Sequence, residues 1–170
     1  MTLKNRSRRI GNEDGFTLIE LLIVMSIIII IATFAIPNIT RIKRQGNETS
    51  AIQSIRAIVA AQLQYQQTYP ANGYACDLKA LGGDKGTAPS PAAAGLLQPD
   101  LAGGQKAGYT FAIVNCNKVT INNQDQYTSY EITAVPQKIG NTGDRGFCSD
   151  DSQQVKYDPK GGTACTQPIQ

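Results

Sequence analysis

Apolar residues follow two different rules along this chain. From Phe16 to Ile36 they are nearly continuous, and the only charged residue in those twenty-one positions is Glu20. As an α-helix the run is about 31 Å long, the hydrocarbon thickness of a bilayer. From residue 48 to 68 they recur at helical spacing instead: Ile52, Ile55, Val59 and Leu63, widened by Ile58 and Tyr65, with Gln, Ser and Arg between them. This pattern predicts an amphipathic helix with its stripe packed on a sheet. No Gly or Pro interrupts it, and it should end near Tyr69-Pro70.

Between the two regimes stands Pro37, which lacks an N–H and is expected to kink the helix or open its hydrogen bonds near Thr33. Gly46-Asn47 is a second, weaker interruption. Beyond residue 70 the composition turns to Gly, Pro, Ala and Ser as far as Gly108, predicting a long connection with short helical turns such as Ala75 to Leu81. Strand signals follow at Tyr109 to Asn115, Lys118 to Asn122, from Tyr127 through "YTSYEITAVP", and at Gln154 to Asp158. Asn-Lys and Asn-Asn between them predict turns and an antiparallel meander. The expected class is α+β: one long N-terminal helix, half apolar and half amphipathic, packed on a roughly four-stranded antiparallel sheet.

Composition narrows the chemistry. The 170 residues are 41% hydrophobic with a net charge of +3, so charge gives no argument for nucleic acid as a partner. There is no His, which excludes a Ser-His-Asp triad, a Cys-His pair and an HExxH zinc site within the chain. No nucleophile–base pairing is recognisable, no cofactor is expected, and the chain does not read as an enzyme. Cys76, Cys116, Cys148 and Cys165 all follow the apolar run and form no CxxC, which suggests two disulfides in an oxidising compartment. Three pairings are open. Cys76–Cys116 with Cys148–Cys165 is preferred, because the second bond closes a short C-terminal loop. Asp144, Asp150, Asp151 and Asp158 offer oxygen ligands for calcium, but their spacing fits no EF-hand and solvated loop carboxylates are the plainer reading, so no metal is expected. Asn38 and Asn47 begin weak glycosylation sequons.

Glu20 is the residue that a plain membrane segment leaves unexplained. A secretory signal peptide has a shorter apolar region ending at an A-x-A-like site, which "ATFA" at residues 32–35 fits poorly. A transmembrane anchor fits the length, but a charge within it is costly. A cut after Gly15 changes the balance. It would create an α-amino group on Phe16, four residues before Glu20, and a carboxylate in the first turns is favoured by the helix dipole. The pair could then set the register of packed helices.

A short leader with Lys4, Arg6, Arg8 and Arg9, then Gly15, then "FTLIELLIVMSIIIIIATFAIPN", resembles the class III signal of type IV pilins and pseudopilins, with Gly15, Phe16, Glu20 and Pro37 at the family's spacing. Glu13 and Asp14 stand where many members carry basic residues. The resemblance implies cleavage between Gly15 and Phe16 by a prepilin peptidase, N-methylation of Phe16, and pairing of Glu20 with a neighbouring subunit's amine during filament assembly. It implies a division into leader 1–15, transmembrane and filament-core helix 16–36, continued helix 37–69, variable αβ-loop 70–108, and sheet with C-terminal disulfide loop 109–170. The implied partners are further copies in a helical filament, the inner membrane and a pilus assembly platform, with the N-terminus cytoplasmic before assembly and the fibre extracellular after it. A pseudopilin of a type II secretion system is the alternative within the family. A membrane-tethered binding domain that never polymerises is the alternative outside it.

Overall fold

In the computed structural model the described residues are 15–83, 86 and 88–169, with the side chains of 34–38 excepted. The leader, with its four basic residues, lies outside them, as does the side chain of Asn38. The chain divides into two compact units at Ile39/Thr40. Helix α1, Leu18–Thr68, is assigned without a break through both Pro37 and Gly46. The kink expected from Pro37 falls among the side chains that are not described.

In the first unit every described side chain of α1 is exposed, from Leu18 through Thr33. A helix apolar on all sides is a helix meant to be surrounded. Among the described residues no helix is long and apolar enough to cross a membrane; the stretch at 34–38 overlaps the end of the apolar run.

The second unit holds the core. From Thr40 onward α1 buries Glu48, Ala51, Ser54, Ile55, Ile58, Val59, Ala61, Gln62 and Tyr65, while Ile52 and Leu63 sit at the border. The buried stripe is therefore turned toward the Glu48–Ala51–Ile58–Gln62–Tyr65 side of the expected one. It includes polar residues because the sheet and loops offer them partners. The helix ends at Thr68, just before Tyr69-Pro70, where proline cannot continue it.

Short helices α2 (Leu78–Leu81) and α3 (Pro99–Ala102) punctuate the connection that follows. Asp77 caps α2 through the Lys79 N–H. Leu78, Leu81, Leu97 and Leu101 close one side of the core.

The sheet is a six-stranded antiparallel meander in sequence order: β1 Gln105–Lys106, β2 Tyr109–Ile121, β3 Gln124–Pro136, β4 Gly146–Asp150, β5 Val155–Asp158 and β6 Gln167–Pro168. Two-residue strands at each edge and the distinct β4 take the count above the expected four. Residues 109–115 and 118–122, expected as separate strands, belong to one. The chain does not reverse at Asn117-Lys118. Asn115 at φ 51° accommodates extra backbone, and the ladder slips as a bulge between Val114 and Asn117. The reversal comes at Asn122-Asn123, with φ values of 51° and 62°, the two positive angles a tight two-residue hairpin requires.

Alternate residues face the helix. Tyr109 pairs with Pro136, Phe111 with Ala134, and Ala134 in turn with Phe147. All five are buried. Gly143 lies against the Tyr109 ring, where any Cβ would collide with the phenol. That close approach lets the Tyr109 hydroxyl donate to the Arg145 carbonyl at 2.9 Å.

Candidate functional site

Two places gather the polar residues that α1 carries. The first is its start. Residues 15–17 are not helical, so the Gly15–Phe16 peptide bond stands outside the helix. Phe16 is 86% exposed, and the space around Gly15 is open. Thr17 and Glu20 form a capping box. The Thr17 N–H and hydroxyl both donate to Glu20 Oε2, at 3.2 and 3.0 Å, and the Glu20 N–H donates back to Thr17 Oγ1 at 3.3 Å. The T-x-x-E pattern in "FTLIE" is the sequence signal for this box, and it gives the carboxylate a capping role beside those of the dipole and the amine. The structure thus places Gly15, Phe16 and Glu20 within one turn of the helix start and adds Thr17 to them. Further along, Ser26 and Thr33 donate to the carbonyls of Leu22 and Ile30, so their hydroxyls are satisfied within their own helix.

The second place lies in the other unit, where α1 is fastened to the loop between β3 and β4. Glu48 is buried and accepts from the backbone N–H groups of Asp144 and Arg145 at 2.9 and 3.2 Å. Its other oxygen takes Arg145 Nε at 2.8 Å and Nη2 at 2.7 Å. The Arg145 guanidinium also lies over the rings of Tyr157 and Phe147, 5.2 and 5.5 Å from their centroids. Arg44 Nη1 reaches both carboxylate oxygens of Asp144 at 2.8 and 2.9 Å, and the Asn47 amide donates to the Thr142 carbonyl at 2.8 Å. Asn47, the second sequon, therefore has its amide engaged.

Farther up the helix Gln62, wholly buried, donates to the Ala75 carbonyl at 2.6 Å and accepts from its N–H at 2.8 Å. The Tyr65 hydroxyl donates to the Pro91 carbonyl. These contacts hold the long connection against the helix. Burial pushes the Tyr65 phenol above its ordinary range, as it does Tyr109, with the Glu48 charge adding to the effect at Tyr109.

Disulfides join Cys76 to Cys116 and Cys148 to Cys165, with Cα separations of 6.0 and 5.9 Å. The first ties the long connection to β2 across 40 residues and the second ties the C-terminal segment to β4 across 17. Loop-closure entropy puts their contributions at about 4 and about 3 kcal/mol.

The four aspartates considered for calcium are dispersed. Asp144 pairs with Arg44, and Asp158 accepts from the Lys160 and Gly162 N–H groups. Asp150 accepts from Ser152 and lies 3.6 Å from Lys156 Nζ; the Ser152 hydroxyl holds its carboxyl below the usual range. Among the described residues no three metal-ligating side chains come together.

Residues 10–36 match the family model of the prokaryotic N-terminal methylation motif. The chain is 44% identical over 55 residues to the type IV wide pilus major component PilA4 of Thermus thermophilus, covering 32% of this chain and 42% of that protein. It is 41% identical over 59 residues to the type IV major pilin protein PilA of Myxococcus xanthus, covering 35% of this chain and 27% of that one. Over about a third of its length the chain is thus homologous to type IV pilins. The aligned part spans less than half the length of either relative, and no solved structure matches the chain. The pilin-like α+β arrangement, a long helix followed by an antiparallel sheet, is what the fold displays.

Proposed function

We propose that the chain is a prepilin, a structural subunit and not an enzyme, that is cleaved after Gly15, methylated on the Phe16 amine and polymerised into an extracellular type IV pilus. The observation that carries this reading is the methylation motif over residues 10–36, with the Gly15–Phe16 bond outside the helix and Glu20 in its first turn. Peptidase and assembly platform would act in turn on the membrane-anchored precursor, its N-terminus cytoplasmic. The Glu20 carboxylate would then meet the amine of an adjoining copy, an ion pair that only processing can create.

The fully exposed apolar helix supports assembly through that segment. With aliphatic side chains on every side, it has no face suited to water. Many copies packed helix to helix would cover it.

The test is a pair of variants expressed in a piliated host. Gly15→Val is expected to leave the precursor uncut, seen by mass spectrometry of the N-terminus. Glu20→Ala is expected to be cut normally, keep its core, and yield no sheared surface filaments. A mature N-terminus elsewhere than Phe16 sinks the processing claim. Correct processing of the wild-type chain without surface fibres reassigns it to the pseudopilins, and abundant filaments from Glu20→Ala remove the charge-pairing role.

A further inference from the structure

Beyond the helix start, one cleft in the second unit has a charge arrangement that the fold does not use up. It measures about 320 Å³ and is lined by Arg41, Arg44, Gln45, Glu48, Asp144 and Arg145. Three guanidinium groups face two carboxylates there. Both carboxylates are engaged, Glu48 by Arg145 and Asp144 by Arg44. Arg41 has no ion-pair partner among the described residues. Arg44 Nε is closed off from solvent and meets no acceptor. A shielded cationic N–H without an acceptor is costly, and an unpaired guanidinium beside it attracts an anion. A compact anion with several acceptor oxygens complements this arrangement.

We propose that this cleft binds a phosphate-type oxyanion, supplied by the headgroup of an anionic phospholipid while the subunit waits in the membrane. The choice of lipid as source rests on the membrane-anchored reading above. Arg41 follows the end of the apolar run by five residues in sequence, and basic residues just past a membrane segment are drawn to anionic headgroups. Arg41, Lys43 and Arg44 make three cations in four positions, a composition that anionic headgroups recognise. Arginine suits the task because its planar fork takes two phosphate oxygens together. Arg41 and the part of the Arg44 guanidinium that stays open to solvent are the groups that hold the oxyanion, and Gln45 lines the same cleft. Asp144 and Glu48 keep Arg44 and Arg145 oriented.

The experiment uses the full chain in detergent, titrated with phosphatidylglycerol, phosphatidylcholine or inorganic phosphate and read by native mass spectrometry. Vesicle co-sedimentation runs in parallel. Phosphatidylglycerol should be retained in preference to phosphatidylcholine, whose choline cation already offsets its phosphate, and Arg41→Gln should weaken retention by about fivefold. Arg41 is exposed and unpaired, so this variant keeps the fold. Equal retention by wild type and Arg41→Gln overturns the site. Binding of inorganic phosphate with no preference for phosphatidylglycerol overturns the lipid source. If Arg41→Gln leaves lipid retention unchanged but lowers filament yield, the cleft serves a carboxylate of a second copy and the lipid site is wrong. A wild-type chain that enters phosphatidylcholine and phosphatidylglycerol vesicles alike leaves the anchored reading intact while defeating the cleft. One that enters neither defeats both.

Discussion

The two halves of α1 use polar side chains in opposite ways. Before residue 40, and among the described residues, Thr17, Glu20, Ser26 and Thr33 hydrogen-bond only to their own turn of helix. After it, Asn47, Glu48, Gln62 and Tyr65 bond across to backbone 13 to 97 residues away in sequence. Polar groups that close locally leave a helix free of lateral commitments, able to accept lipid or other helices on any side. Polar groups that reach outward commit a helix to one neighbour at one rotation. Among the described residues the first half has no fixed lateral partner, and the second has several.

The largest test of this contrast is Glu48→Ala. It strands the Arg145 guanidinium and two backbone N–H groups, and because Arg145 is partly exposed the expected cost is near the low end for a broken buried pair, about 3 kcal/mol. The denaturant midpoint followed by near-ultraviolet dichroism should fall accordingly. An unchanged midpoint would mean that the helix is held by its apolar stripe alone.

Alkali should also act on the second unit and not on the first, where residues 15–39 contain no tyrosine. Burial, aided by Tyr74 and by Asp151 and Asp150, pushes the Tyr130 phenol up to about 12. The unfolded chain gives up that proton near pH 10 while the folded chain keeps it, so stability falls as pH rises from about 10 toward 12. Tertiary dichroism should be lost in that window before the ellipticity of the apolar helix changes. Simultaneous loss of both signals would refute the division.

The smallest effect is expected at the helix start. Thr17→Ala removes the cap and should fray the first turn at a cost of about 1 kcal/mol, while Thr17→Ser restores it. Hydrogen exchange at residues 18–21 reads this directly. The unfolding midpoint of the second unit should not move; if it does, the two halves are energetically coupled.

Much of the architecture was visible residue by residue. Tyr69-Pro70 marks the end of α1, Asn122-Asn123 marks the hairpin, and "YTFAIVN" marks the first part of β2. Each depends on backbone preference or short-range periodicity, which neighbouring residues carry. Gly146–Asp150 was not set out as a strand of its own, and the two edge strands were missed, because two-residue pairings leave no period to detect. The Asn117-Lys118 position looked like a turn and became a bulge. Asn115, two residues earlier, takes the positive φ, which asparagine accepts in turn and bulge alike, and only the continued pairing with β3 distinguishes them.

The helix stripe shows the same limit. Apolar spacing indicated one buried side, but the side actually buried includes Glu48 and Gln62, polar residues that by themselves belong in water. Their burial became affordable only because the backbone at residues 144–145 and at Ala75 arrives there with matching donors and acceptors. By itself, the sequence determined the apolar run, the Gly15–Phe16–Glu20 spacing, the helix end and the α+β class, since each follows from composition or spacing within a few turns. The rotation of α1 on its sheet, the cysteine partners chosen among three possibilities, and the gathering of Arg41, Arg44 and Arg145 around one cleft were decided by tertiary structure. Those depend on groups up to about a hundred residues apart, and nothing local specifies which of them will meet.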